Sequence, residues 1–259
     1  SSDLKYDVIV VGAGNGGLSA AAYLASEGKK VLVLEKHNLP GGCATSFKRG
    51  AYEFESALHE LCQMGDGKEG RPKGAVRELL SDKYGLDVDW RPVDEAFCAI
   101  ATDKGGFDVT MPADVQGFID EMERQVPGSR EAMTNIMEMS RMIGDGVDWL
   151  YERDNDPPKL PMLLKWSDLM RCVSVPTEEM LVKLGVPKKA REIYESYWDY
   201  VGVDSTKMSF AVYAQMFRMY LNFKPYICKM RSHEIALAFD RRIRELGGEV
   251  QLVGDDLFV

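Results

Sequence analysis

Three glycines near the amino terminus have the type and spacing of a phosphate-binding turn. Residues 6–42 read YDVIVVGAGNGGLSAAAYLASEGKKVLVLEKHNLPGG. Gly12 permits a tight turn, Gly14 lets the backbone approach a pyrophosphate, and Gly17 lets a helix pack closely against a strand. A helix that begins at this turn presents free N–H groups and a positive potential to phosphates. The spacing therefore predicts a bound adenine dinucleotide, the alternative being a chance glycine loop.

The flanking segments predict the strand–helix–strand unit that such a turn needs. Residues 8–11 are apolar and β-branched, as expected of a strand buried on both faces. After the turn, apolar residues recur at helical spacing and predict a helix with one buried face. These residues are Leu18, Ala21, Ala22 and Ala25. Gly28 is placed to end the helix, and residues 31–34 form a second buried strand that Glu35 follows.

Glu35 stands where the acidic residue of a dinucleotide fingerprint accepts hydrogen bonds from a ribose diol. Its charge would repel a 2′-phosphate, which disfavours a phosphorylated adenosine at this position. The residues of this segment that are predicted to contact the dinucleotide are Gly12, Gly14, Asn15, Gly16, Gly17, Glu35 and Lys36.

The composition limits the classes of protein to which the chain can belong. Its 259 residues suffice for one large domain or two ordinary ones. The formal net charge of −9 disfavours nucleic acid as a partner, because phosphate backbones bind to dense Lys and Arg surfaces. The five cysteines are scattered without CxxC pairs. Such a pattern is typical of reduced thiols and predicts a cytoplasmic protein.

The second glycine pair carries a family resemblance. Residues 40–46, PGGCATS, directly follow the second predicted strand and by themselves would also make an ordinary surface turn. In this position they resemble the flavoprotein superfamily of phytoene desaturases, carotenoid isomerases, retinol saturases and amine oxidases. The resemblance implies FAD as the cofactor, with Gly41, Gly42 and Cys43 in contact with the flavin nucleotide.

A further motif extends the resemblance. Residues 50–57, GAYEFESA, are similar to the superfamily pattern G-x-x-F-D-x-G, with Glu55 for the usual Asp and Ala57 for the usual Gly. The resemblance places the next segment beside the flavin ring and so implies Ala57, Leu58 and His59 as ring neighbours. His59 is thereby the one candidate catalytic residue; a packed or solvent-facing histidine is the alternative.

The fold class implied by this resemblance is α/β. A Rossmann-like FAD-binding domain, incomplete in this chain, is expected over residues 1–64 and 230–259. An inserted α+β, largely helical substrate domain is expected over residues 65–229.

A helix over residues 233–246 is predicted to bury Ile235, Ala238, Phe239, Ile243 and Leu246, and a strand follows over residues 249–253. The resemblance implies that this helix and strand return the chain to the FAD-binding domain and that Val253 contacts the adenine. The superfamily usually has a Gly-Gly pair at the start of the preceding helix, where this chain has Arg231-Ser232.

The inserted segment carries apolar stripes at helical spacing. One stripe is Met133, Ile136, Met137, Ser140, Ile143, Val147 and Leu150. Core packing is favoured for it over a binding surface. Residues 194–226 are dense in aromatic side chains, which either fill a helical core or line a pocket for a flat, apolar substrate.

The proline-rich segment 154–165, DNDPPKLPMLLK, is expected to be irregular. Its apolar side chains favour a loop packed on the helices. The alternative is a lid over an apolar tunnel, or a patch in peripheral contact with a membrane.

The leading functional hypothesis is an FAD-dependent oxidoreductase. Metal-ligand spacings and catalytic triads are not evident in the sequence, which suits an enzyme whose flavin carries the hydride. By resemblance, hydride moves between the flavin and a C–C or C–N bond of an apolar small-molecule substrate, with NAD(P) as a candidate electron partner.

Members of this superfamily are about twice as long as this chain. The sequence is therefore expected to be a shortened chain or one part of a split enzyme, with an exposed parallel strand edge that a second chain could cover. The alternative function is a non-catalytic FAD- or NAD-binding fragment within a multi-chain assembly.

Overall fold

The computed structural model describes residues 5–56, 60–68, 72–153 and 156–252. The strands are β1 (Val8–Val11), β2 (Val31–Glu35), β3 (Phe47–Arg49), β4 (Tyr52–Phe54), β5 (Trp90–Pro92), β6 (Glu95–Ile100), β7 (Asp108–Pro112), β8 (Tyr226–Cys228) and β9 (Glu249–Leu252). The α-helices are α1 (Asn15–Ser26), α2 (Ala75–Arg77), α3 (Val115–Gln125), α4 (Arg130–Tyr151), α5 (Lys159–Lys165), α6 (Ser167–Val173), α7 (Thr177–Lys183), α8 (Lys188–Glu195), α9 (Phe210–Phe223) and α10 (His233–Glu245). A π-helical segment, Glu78–Lys83, continues α2.

The chain forms two compact units. The first runs up to Pro92 and resumes at Tyr226, and the second is Val93–Pro225. The first boundary thus lies later in the chain than the one expected after residue 64. The reason is that apolar side chains between α2 and β5 pack against the core of the first unit. They are Leu80, Tyr84, Leu86, Val88 and Trp90.

The first unit has the Rossmann-like α/β architecture that the sequence predicts. In the described part of the chain its main sheet is parallel, with the strand order β1-β2-β9. Helices α1 and α10 pack together and share one hydrophobic core with the sheet. The predicted inward residues of α1 are all buried, as are Ile235, Ala238, Phe239 and Ile243 of α10. Apolar residues that recur with a period of 3.6 residues therefore located the buried faces of α1 and α10 correctly.

Strand β1 differs from the expectation of two buried faces. Val10 packs against the core, but Ile9 and Val11 point to the opposite face and are 58% and 84% exposed. Successive side chains of a strand alternate between faces, so an apolar run does not by itself show that both faces are covered. Strand β2, which lies between β1 and β9, is buried over most of its length, as predicted.

The second unit combines a β-hairpin with a helical core. Strands β6 and β7 pair antiparallel, and α3 packs against β7. The long helices α4 and α9 contact each other along their buried stripes. Met133, Ile136 and Met137 lie in the core, so the core interpretation of the methionine stripe is confirmed.

The aromatic residues of the second unit mostly fill that core. Tyr194 stacks on Phe217 with ring centroids 4.4 Å apart, and Phe118 meets Phe217 edge to face. Tyr213 donates a hydrogen bond from its hydroxyl to the carbonyl oxygen of Tyr194 at 2.7 Å. Of the two interpretations of this aromatic density, core packing therefore applies to these residues.

The proline-rich segment contains a helix where irregular structure was expected. Helix α5 begins after Pro158 and includes Pro161 as its third residue. A proline is tolerated there because N–H groups in the first turn of a helix have no intrahelical acceptor. Three leucines of this helix are largely exposed: Leu160 at 66%, Leu163 at 66% and Leu164 at 75%. Membrane contact through this segment stays a prediction. Among the described residues, none of the helices combines the length and apolar character needed to cross a bilayer.

Glu195, the last residue of α8, is partly buried in the second unit. Its Oε1 atom has no hydrogen-bond partner. Burial raises the pKa of the Glu195 carboxyl, and the negative charges of Glu178 and Asp204 act in the same direction. A hydrogen bond from Ser205 and the charge of Arg191 oppose the shift.

We expect Glu195→Gln to increase the free energy of unfolding at pH 7. A carboxyl whose pKa is higher in the folded than in the unfolded state costs stability as pH rises through that interval. The gain should therefore vanish below the unfolded pKa of about 4. Urea unfolding at neutral pH and at a pH below that value measures this gain in the free energy of unfolding. Glu192→Gln, which changes an exposed residue of the same helix, is the control. An equal gain at both pH values would contradict the assignment.

Candidate dinucleotide-binding site

The glycine turn between β1 and α1 has the conformation that its spacing predicts. Gly12 has a φ of +98°, in the left-handed region that favours glycine, and its N–H donates to the carbonyl oxygen of Leu34 at 2.7 Å. A Cβ atom on Gly17 would lie 2.0 Å from the carbonyl oxygen of Gly12. Both positions therefore need glycine for the turn itself, before any ligand is considered.

The outer side of the same turn is open. A Cβ atom on Gly14 or Gly16 would meet nothing within 4 Å. Gly14 is the N-cap of α1 and has no side chain with which to bond the first N–H groups of the helix. Asn15, the first residue of α1, is exposed. The helix N-terminus is thus accessible to an anionic group, as expected for a pyrophosphate.

Glu35 at the end of β2 is tied to this turn. The residue is only 9% exposed. Its Oε2 accepts a hydrogen bond from the N–H of Ala13 at 2.6 Å, and its Oε1 accepts one from the N–H of His37 at 2.8 Å. Each carboxylate oxygen keeps a second lone pair for a ribose hydroxyl. The sequence pattern predicts Glu35 as a ribose acceptor only, and its second role, holding the turn, emerges from the structure. Lys36, the next residue, is exposed.

The Gly41-Gly42 pair lies against the glycine turn. The N–H of Gly41 donates to the carbonyl oxygen of Ala13 at 2.7 Å. A Cβ atom on Gly42 would approach the Cα atom of Gly14 to 3.2 Å. Both residues have positive φ, +123° and +58°. The two glycine segments therefore form one surface, beside which Cys43 is exposed.

A cleft of about 1160 Å³ continues from this surface within the first unit. Its walls are residues 35–39 after β2, the β3–β4 hairpin and the first half of α10. His233 lines it, and the Nδ1 atom of His233 is buried without a hydrogen-bond partner. Burial lowers the pKa of His233, although the Glu55 carboxylate opposes this. A neutral imidazole therefore faces the cleft near pH 7. The sequence does not predict His233 as a site residue, because no recognisable motif surrounds this histidine.

Four predicted site residues cannot be placed in this geometry. Ala57, Leu58, His59 and Val253 lie outside the described residues. Their predicted contacts with the flavin ring and the adenine stay predictions.

Known proteins are similar to the chain in sequence and fold. Residues 10–72 match the family described as an NAD(P)-binding Rossmann-like domain. All-trans-retinol 13,14-reductase of Rattus norvegicus is 27% identical over 255 residues, which cover 95% of this chain and 41% of that protein. Prolycopene isomerase 2 of an Oncidium hybrid cultivar is 51% identical over 154 residues, which cover 60% of this chain and 25% of that protein. Putrescine oxidase solved with putrescine has a TM-score of 0.57 at 16% identity, and the match covers 96% of this chain and 51% of that one.

The chain is a homologue of retinol 13,14-reductases and prolycopene isomerases. The resemblance based on residues 40–46 and 50–57 is therefore confirmed. The likeness to putrescine oxidase shows that the fold is shared more widely. The chain spans less than half the length of the retinol reductase and the prolycopene isomerase that it matches.

Two departures from the superfamily pattern contact each other. Glu55 replaces an Asp, and Ser232 stands where the pattern has a glycine. The N–H of Ser232 donates to Oε2 of Glu55 at 2.9 Å, and the Ser232 hydroxyl also hydrogen-bonds Glu55 Oε1. Arg231, at the other glycine position, has a φ of +68° and so keeps the backbone conformation that glycine favours. The longer carboxylate and the added hydroxyl therefore form one local arrangement beside α10.

We expect Gly17→Ala to destabilise the ligand-free protein by about 1–3 kcal/mol or more, because two backbone segments would have to separate. Gly16→Ala is the matched control, since its added methyl group meets open space. Thermal unfolding of the two variants measures the difference. Equal melting temperatures would show that the turn is not packed as described.

We expect the effects of Ser232→Ala and Glu55→Gln on the free energy of unfolding to be non-additive. Each single change disturbs the same hydroxyl–carboxylate hydrogen bond, so the double variant should be about 1 kcal/mol more stable than the sum predicts. Urea unfolding of the four proteins in the cycle gives this coupling energy. A coupling near zero would mean that the two departures are independent.

Proposed function

We propose that the protein binds FAD and acts as an oxidoreductase on an apolar substrate. The observation that carries this proposal is the surface formed by two glycine segments, with open space at Gly14, Gly42 packed against it and Glu35 at the strand end. The names of the homologues, a retinol reductase and a prolycopene isomerase, support the same interpretation.

The residues that would hold FAD follow from this surface. The free N–H groups at the start of α1 suit the pyrophosphate, and Glu35 suits the adenosine ribose. The negative charge of Glu35 disfavours a 2′-phosphorylated adenosine, which FAD lacks. Gly42 and the exposed Cys43 would contact the nucleotide farther along, and His233 forms part of the cleft wall.

The chemistry proposed is hydride transfer to or from a carbon–carbon or carbon–nitrogen bond. A bound flavin supplies the hydride acceptor or donor. The residues of this chain bind and orient the cofactor through backbone groups, which leaves few side chains for acid–base work. NAD(P)H is the proposed source of electrons for a reductive reaction.

The substrate class is proposed from the homologues. Retinol and prolycopene, named for those proteins, are apolar polyenes. A polyene or a similarly apolar molecule is therefore the first class to assay with this protein.

The visible absorbance spectrum of the purified protein tests cofactor identity. We expect a flavin spectrum, or a saturable fluorescence change on addition of FAD, and much weaker binding of NADP⁺ because of Glu35. Anaerobic reduction with NADH or by light, followed by reoxidation with polyene acceptors, tests turnover. Failure to bind FAD would end the proposal. FAD binding without any turnover would instead favour a non-catalytic binding module.

We expect Gly14→Ala to weaken FAD binding at least about tenfold while leaving the melting temperature of the ligand-free protein unchanged. The added methyl group meets no protein atom within 4 Å, so it would occupy space intended for the pyrophosphate. A tenfold loss corresponds to about 1.4 kcal/mol. Ser26→Ala, at the opposite end of α1, is the control and should bind FAD normally. Unchanged FAD affinity in Gly14→Ala would place the cofactor elsewhere.

A further inference from the structure

Residues 41–45, the second glycine segment, contact both the glycine turn and the start of α10. The N–H of Gly41 donates to the carbonyl oxygen of Ala13 in the turn at 2.7 Å. A Cβ atom on Gly41 would lie 3.2 Å from the Cβ atom of Ala236, which is buried in α10. The position of this segment therefore depends on α10 as well as on the turn.

Two serine hydroxyls hold consecutive carbonyl groups of the second glycine segment. Ser232, the N-cap residue of α10, donates from its hydroxyl to the carbonyl oxygen of Ala44 at 3.0 Å. Ser56, which follows β4, donates from its hydroxyl to the carbonyl oxygen of Thr45. The two donors come from different elements, so the segment is attached to two separate parts of the first unit.

Glu55 fixes Ser232 in its turn. Oε2 of Glu55 accepts the N–H of Ser232 at 2.9 Å, and Oε1 accepts from the Ser232 hydroxyl. A hydroxyl has one proton to donate, so Glu55 and the carbonyl group of Ala44 share it. Ser232 is only 2% exposed. Because Ser232 is buried and its hydroxyl is bonded within the protein, it can affect a ligand only through the residues that it holds.

We propose that Glu55 and Ser232 are positioning residues for the flavin nucleotide. They hold the second glycine segment in the conformation that contacts the ligand, so that binding does not have to order it. The inference rests on the proposed function, because it takes this segment to contact FAD. Both residues depart from the superfamily pattern, and the pattern therefore assigns them no such role.

Fluorescence titration of the ligand-free protein with FAD tests the proposal. Ser232→Ala should weaken FAD binding about fivefold, as expected for the loss of one hydrogen bond. Glu55→Gln should weaken it to a similar extent, because an amide offers one acceptor oxygen where a carboxylate offers two. Ser26→Ala is the matched control. It also removes a hydroxyl–carbonyl hydrogen bond from the first unit, the one to Tyr23 at 2.7 Å, and should bind FAD as the unmodified protein does.

Hydrogen exchange measured by mass spectrometry reports on the second glycine segment without FAD. The N–H groups of Gly41 and Ala44 are hydrogen-bonded, to Ala13 and to Gly41, and their exchange slows when the segment is held. In ligand-free Ser232→Ala, we expect residues 41–46 to exchange about fivefold faster than in the unmodified protein, with residues 31–35 of β2 unchanged. Saturating FAD should restore slow exchange. A residue that only stabilises the first unit would instead change exchange in both segments.

The outcomes separate this inference from the proposed function. If the unmodified protein binds FAD and Ser232→Ala binds it equally well, the positioning role is wrong and the proposed function stands. Equal losses of affinity in Ser232→Ala and Ser26→Ala would also overturn the role, because they would trace the effect to general stability. Unchanged exchange of residues 41–46 in Ser232→Ala would show that Ser232 does not hold the segment. Failure of the unmodified protein to bind FAD would overturn the proposed function, and this role with it.

Discussion

The binding surface of the first unit depends on the contact between two glycine segments. Gly41 donates to the carbonyl oxygen of Ala13, and Gly42 approaches Gly14 so closely that a side chain there would press on its Cα atom. A larger residue at Gly42 would therefore push the second segment away from the first. Strand pairing between β1 and β2 brings the segments together, so the sheet sets the geometry of the surface.

Much of this unit follows from short-range sequence patterns. The glycine spacing predicts the turn, since only glycine adopts the φ of Gly12 readily and only glycine fits against its carbonyl oxygen at Gly17. Apolar residues at helical spacing predict the buried faces of α1, α4 and α10. Such features depend on neighbours within a few residues, which is why one sequence suffices to find them.

Other features depend on distant residues and could not be predicted from the sequence. The exposure of Val11 depends on which elements cover the sheet, and an apolar run carries no information about that. The bond between Glu55 and Ser232 joins residues 177 positions apart, and in the sequence each is an isolated departure from the pattern. Helix α5 was missed because Pro161 is interpreted as a helix breaker unless its position in the first turn is known.

The two hydrogen bonds that Glu35 accepts, from Ala13 and His37, have a consequence for how the protein would take up its ligand. Both bonds join groups of the chain itself, so the loop does not need a ligand to hold its backbone, and association loses little conformational entropy. Ligand binding would then replace hydrogen bonds to water with hydrogen bonds to the ligand, and release would reverse this. The backbone of the turn would keep its conformation in both steps.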